Sequence, residues 1–288
     1  MKRVFMMVLT LMFMLSMVWT VIADDPKPDS DLKKTADKMM DLYGNGKLAE
    51  MIKARKQIKD AGLSYQPSLT LPLEGLTKST NQDALAVLVG MYWADAGYAR
   101  LFNKPKESKA IAEVVRTQVY PRLSINQQIS SLGRIDQKII TKMIENPKDP
   151  KAQDEMIQAI NKRIEKHIEL SKTDTSVMVF TINQVYGTLV EGLYQVFSLA
   201  VNEKSGPEIT KLFNQQADNI SRFMDLMNTL VENELAKLAD GQQRISMIAP
   251  IRDIIMKNKG KLSQDDMKSI LADVTEIRNS YLNLCKEK

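Results

Sequence analysis

At 288 residues the chain can bury one large core or two smaller ones. Its 40 basic and 35 acidic residues give a formal charge of +5, or +3 without Lys2 and Arg3 (38 − 35). No Lys/Arg cluster is interleaved with aromatics, so nucleic-acid binding has no basis, and the single cysteine, Cys285, excludes an internal disulfide.

Met1-Lys2-Arg3 precedes an uncharged apolar run from Val4 to Ile22, which ends at Val21-Ile22-Ala23 before Asp24-Asp25-Pro26. A basic start, an apolar stretch and a small residue at the cut are the parts of a bacterial secretory signal, with cleavage expected after Ala23. The alternative is an uncleaved anchor, since the run approaches the ~20 residues that span a bilayer. Signal cleavage implies a periplasmic or secreted protein with no stable membrane anchor. Asp24 to Ser30 carries two prolines and reads as a polar tether to a helical domain over 31–288.

Helical periodicity then begins. Asp31 to Tyr43 and Lys47 to Ala61 carry apolar residues at three- and four-residue spacing, divided by Gly44-Asn45-Gly46. Gly62 to Ser79 differs, because Pro67, Pro72 and Gly75 break any helix while Leu63, Tyr65, Leu69, Leu71, Leu73 and Leu76 are apolar. Such a loop is expected to pack down on the helices. Helices are predicted over Asn81 to Phe102, Pro105 to Tyr120 and Ser124 to Asn146. Asp149 caps, and Pro150 opens, the next, which runs to Thr173. Thr175 to Val201 follows, then Ser205-Gly206-Pro207 starts a helix to about Ala239. Gln242 to Lys259 is helical with a kink expected at Pro250. Ser263-Gln264-Asp265-Asp266 resembles a capping box before a last helix to about Cys285. No segment alternates with period two, so the fold class is all-α, one multi-helix domain of nine or ten helices around two apolar central ones.

Much chemistry is missing from the chain. His167 is its one histidine, so neither a zinc-protease pair nor two Glu-x-x-His di-iron motifs exist. No haem attachment motif, phosphate loop or dinucleotide fingerprint is present, and no cofactor or metal is called for. His167 adjoins the stripe Ile157, Ile160, Ile164, Ile168 and reads as a boundary residue rather than the base of a triad. Met39-Met40 and Met224-x-x-Met227 have helical spacing, which suits core filler better than thioether copper ligands. Cys285 reads as a small semi-buried thiol, with cross-linking of two chains as the alternative.

One constellation stands out. Two helices are apolar nearly all round and belong at the centre. Asp95 is the only charge between Asp83 and Arg100, and Glu191 is the only one from Val177 to Ala200. Each has a tyrosine three residues later on the same face, Tyr98 and Tyr194, and Tyr92 precedes Asp95 by the same step. Each helix carries a glycine one turn earlier, Gly90 and Gly187, where another helix can approach closely. A carboxylate among apolar neighbours needs a partner, a raised pKa or a wet cavity. Asp95, Tyr98, Glu191, Tyr194 and Tyr92 are therefore candidate binding residues. They would form a shared acidic, aromatic pocket for a cation, an amine or a polar small molecule, or else a structural network.

The stretch Gly90-x-Tyr92-x-Ala94-Asp95-x-x-Tyr98, with Val190-Glu191-Gly192-Leu193-Tyr194 downstream, resembles a group of secreted all-helical bacterial proteins of unknown function. In that group a Gly-Val-Tyr-x-Ala-Asp-x-x-Tyr helix precedes a Gly-Gly-Trp-Ile-Glu-Gly-Leu-Tyr helix. This chain departs at Met91 and over Tyr186 to Leu189, where only Gly187 echoes the glycine pair. The resemblance covers Asn81 to Val201 and implies a helical fold around these segments, with no activity to transfer. The function expected is non-catalytic binding of a partner protein or small ligand. Its rivals are a hydrolase-like enzyme using Asp95 and Glu191 as acid and base, and a carrier of lipid or another apolar ligand.

Overall fold

The computed structural model describes residues 30–43, 62–76, 78–131, 137–146, 149–201, 206–231 and 240–286. The expected signal segment, the expected tether up to residue 29, and the turn at Gly44-Asn45-Gly46 and the helix over 47–61 that the sequence predicts lie outside the described residues, as does 232–239. The fold is all-α with no strand among the described residues, and the nine or ten helices expected are met. They are α1 (Ser30–Tyr43), α2 (Gln82–Leu101), α3 (Pro105–Val114), α4 (Asn126–Ser131), α5 (Gln137–Glu145), α6 (Pro150–Ser171), α7 (Thr175–Ala200), α8 (Pro207–Val231), α9 (Gly241–Lys257) and α10 (Gln264–Lys286). None of the described helices is long and apolar enough to cross a membrane.

Local chemistry sets the ends of these helices. The Asn81 side chain accepts from the Ala84 N–H at 2.9 Å, Asp149 from Lys151, and Asp174 from Ser176 and Val177. Ser263 and Asp266 cap α10 reciprocally: Ser263 Oγ accepts from the Asp266 N–H at 3.1 Å, and Asp266 Oδ2 from the Ser263 N–H at 3.0 Å. Bonding to Ser263 holds the Asp266 carboxyl below its usual range.

Two predicted helices are interrupted. The one expected from Pro105 to Tyr120 ends as a regular α-helix at Val114 and continues as a π-turn over Val115–Val119. Pro121 has no N–H to donate one turn back and its ring crowds that carbonyl. The coil loosens before it, and the Tyr120 N–H reaches Val115 O instead. The segment expected over Ser124 to Asn146 is described as the separate α4 and α5, with residues 132–136 between them outside the described set. Pro250 lies inside α9 as expected.

α2 and α7 form the centre. They pack on each other along their length, with α3 and α10 against α2, and α6, α8 and α10 against α7. α8 and α9 pair alongside, and α1 bridges α6 and α8. The two glycines are what allow the central crossing. A Cβ on Gly90 would lie 2.0 Å from Gln184 O, and one on Gly187 would lie 2.0 Å from Val87 O. Both obstacles are backbone, which cannot rotate away, so the helices touch main chain to main chain. The Thr188 hydroxyl is shared between Gln184 O at 2.9 Å on its own helix and Gly90 O at 3.1 Å across the seam, and Asn183 Nδ2 donates to Asp83 Oδ1 at 2.8 Å.

The segment from Gly62 to Leu76 packs as the sequence implied. Leu63, Leu69, Leu71 and Leu76 are buried, while Gln66, Pro67, Ser68, Pro72, Leu73 and Glu74 face outward. Cys285 is fully sealed, with its thiol against Ala84 O at 3.5 Å, and burial pushes its pKa up to about 12. A semi-buried thiol is thus replaced by a core one, and cross-linking of two chains through it would require unpacking α10.

Candidate functional site

Asp95 on α2 and Glu191 on α7 converge in the core, and each is 0 % exposed. Asp95 Oδ2 accepts from the Leu71 N–H at 2.8 Å, and Oδ1 from Gln195 Nε2 at 2.7 Å. Glu191 is gripped by Arg278 of α10, with Nε donating to Oε2 at 2.7 Å and Nη2 to Oε1 at 3.0 Å. This is the two-pronged geometry in which a guanidinium best matches a carboxylate. The same guanidinium lies 4.2 Å from the Tyr194 ring centre.

The two carboxyls are near enough that each acts on the other's ionisation. Burial and the neighbouring Glu191 charge hold Asp95 well above the usual carboxyl range, against the opposing pull of the Leu71 N–H and Arg278. Burial also raises Glu191, but bonding to Arg278 opposes that shift. Asp95 is therefore the carboxyl held neutral, and the ion pair is Glu191 with Arg278. One guanidinium, one carboxylate and one neutral acid sum to zero, which is what a buried cluster requires.

The tyrosines of α2 extend the cluster to the surface loop. Tyr92, Asp95 and Tyr98 fall on one helix face and each takes hold of the 62–76 segment. The Tyr92 hydroxyl donates to Pro72 O at 2.7 Å, Asp95 receives Leu71, and the Tyr98 hydroxyl accepts from the Gln66 N–H at 2.9 Å. Tyr65 rests on Tyr98 and Phe102, with ring centres 5.2 and 5.9 Å apart. The segment is a strap clasped at three points along about six residues.

All the candidate residues named from sequence thus fall into one network, with Gly90 and Gly187 setting its helix spacing. Five participants were not singled out: Arg278, Gln195, the strap amides of Leu71 and Gln66, and the Pro72 carbonyl. Arg278 had a legible signal, since it interrupts the buried face of α10 formed by Met267, Ile270, Val274, Ile277, Leu282 and Cys285. An open surface groove of about 510 Å³ lies elsewhere, lined by Lys33, Lys34, Asp37, Lys38, Asp41 and Thr229.

His167 is not arranged as a catalytic base. Its Nε2 lies 3.2 Å from Thr181 Oγ1, its ring lies against Phe180, and burial together with Arg163 pushes its pKa down to about 4. Thr181 gives its hydroxyl proton to Val177 O at 2.6 Å, so the imidazole is the donor to Thr181. No His, Cys, Asp or Glu cluster able to hold a metal ion occurs among the described residues. No family model, curated protein or solved structure matches the chain.

Proposed function

We propose that this is an exported, non-catalytic protein that acts by binding, and that the outer face of the strap is the surface it offers. The observation carrying this reading is where the buried cluster directs its bonds. Asp95, Tyr92 and Tyr98 each hold the main chain of the strap, and none presents a free reactive group to solvent. Surface loops held by a rigid scaffold are where recognition is concentrated, and ordering one in advance lowers the entropic cost of association. The strap presents Leu73, 39 % exposed and one of two large exposed apolar side chains among the described residues, next to Glu74.

The acid–base enzyme reading gains from the convergence of the two carboxyls. It also needs a substrate to reach groups that are 0 % exposed and already bonded to Gln195, Leu71 and Arg278. A carrier of apolar ligands needs a lined cavity, whereas Met91, Met178 and Met227 sit fully buried in the packed core. The binding reading is tested with the mature chain as bait against periplasmic extract and a small-ligand thermal-shift panel. Wild type is compared with a Leu73→Asp, Glu74→Arg strap variant of equal stability. A partner or ligand retained by wild type and lost by the variant is expected. Nothing retained, or equal retention by both, overturns the strap as the binding surface.

A further inference from the structure

The described residues contain two buried arginines, and the two are built alike except in one respect. Arg278 lies over the Tyr194 ring of α7 and has its charge met by Glu191. Arg244, in the first turn of α9, lies over the Tyr186 ring of the same helix at 4.7 Å and is 1 % exposed. Its Nε and Nη1 are sealed from solvent and meet no hydrogen-bond acceptor among the described residues. Nε belongs to the side edge of the guanidinium and Nη1 to its end edge, so each edge that can grip an oxyanion keeps an unspent donor. Arginine does not shed its proton, so the charge stays in the core, and a ring face attracts it without accepting the N–H groups in the way a carboxylate would.

The start of α9 adds a second feature. The residue preceding the helix, Asp240, supplies no side-chain cap, and Gly241, three residues before Arg244, shares its buried face. Uncapped first-turn amides with the positive end of the helix dipole favour an anion there. The surroundings are aromatic: Tyr186 packs on Phe223 and Tyr281 with ring centres 5.3 and 5.7 Å apart, and its hydroxyl points to Met247 Sδ at 3.7 Å. The exposed Asp240 beside this face disfavours multiply charged ions.

We propose that Arg244, the first turn of α9 and the Tyr186 ring form a binding site for a small monocarboxylate, which fills the place that Glu191 fills for Arg278. This site lies away from the strap and does not rest on the strap being a binding surface.

The test uses the full mature chain and acetate as the probe, against chloride at equal ionic strength. In wild type, the Arg244 Nε–H resonance is expected to move in a saturable way with acetate, and the melting temperature to rise with it. Arg244→Met, which keeps the volume, should weaken the acetate response by about tenfold or more. Arg252→Gln, at a half-buried arginine of the same helix already paired with Asp253, should leave it unchanged. An Arg244 resonance indifferent to acetate overturns the proposal. An equal acetate response in Arg244→Met, or stabilisation by phosphate in place of acetate, also overturns it. Should Arg244→Met fail to fold, the wild-type resonance alone decides.

Discussion

Replacing Arg278 with Met tests the core of the network. The change keeps side-chain volume but leaves Glu191, 0 % exposed, without the two bonds of 2.7 and 3.0 Å that hold its charge. Breaking a buried pair by removing one partner costs about 3–5 kcal/mol. Glu191 can limit that cost by taking up a proton, so the penalty depends on pH. Once its folded-state pKa has risen, stability falls by about 1.4 kcal/mol per pH unit between the unfolded and folded values. The loss should therefore be smaller at pH 5 than at pH 8. Urea denaturation at both pH values measures it, and Glu191→Gln in the Arg278→Met background should restore most of the stability at pH 8. A cost under about 1 kcal/mol at pH 8, an equal cost at both pH values, or no rescue by Glu191→Gln would refute the assignment of Glu191 and Arg278 as the cluster's ion pair.

The other perturbations read neighbouring parts of the same design. Asp95 has a folded-state pKa raised above its unfolded value, so its contribution is complete below the unfolded value and is lost as pH climbs through the folded one. Asp95→Asn, which keeps one acceptor oxygen and cannot ionise, should flatten that fall in a urea titration repeated across pH. Asp95→Ala should instead speed hydrogen exchange at the Leu71 amide, which loses its 2.8 Å acceptor, while amides deep in α7 stay protected. Among the glycines the sign should invert with position, as thermal unfolding would show. Gly90→Ala and Gly187→Ala drive a methyl into backbone at 2.0 Å and should cost at least the ~1–3 kcal/mol of ordinary overpacking. Gly97→Ala and Gly192→Ala meet nothing within 4 Å and should gain about 0.5–1 kcal/mol from helix propensity.

The fold was legible because its signals are local. Near-continuous apolar composition marked α2 and α7 as central, and Asn81, Asp149 and Ser263 announced helix starts through groups that bond within three residues. Gly90 and Gly187 were readable as contacts from their place one turn before each acid; glycine alone does not mark one, since Gly97 and Gly192 on the same helices meet nothing within 4 Å. The partners of the two acids were not readable, since they depend on how distant helices are registered. Leu71 lies 24 residues from Asp95 and Arg278 lies 87 from Glu191, and no spacing rule links them. Arg278 and Arg244 could have been flagged as cations on apolar stripes, Arg244 sharing its stripe with Ile248, Ile251 and Ile255. The π-turn escaped because Pro121 marks where a helix must change without fixing how.

A hydrophobic residue in place of a buried ion pair is often no less stable, so the retention of this cluster needs a reason beyond stability. Its connectivity supplies one. Leucine at position 95 would orphan both the Leu71 N–H and the Gln195 amide, and loss of Glu191 would orphan Arg278. Each abandoned buried group costs about 1–3 kcal/mol, so the members stand or fall together. The cluster admits one register of the strap on α2, because sliding the strap by a residue would present a side chain where Asp95 needs an N–H. Apolar packing of Leu69, Leu71 and Leu76 would tolerate such a slip far better. The carboxyls thus specify the strap's position, and with it the placement of Leu73 and Glu74 on its outer face.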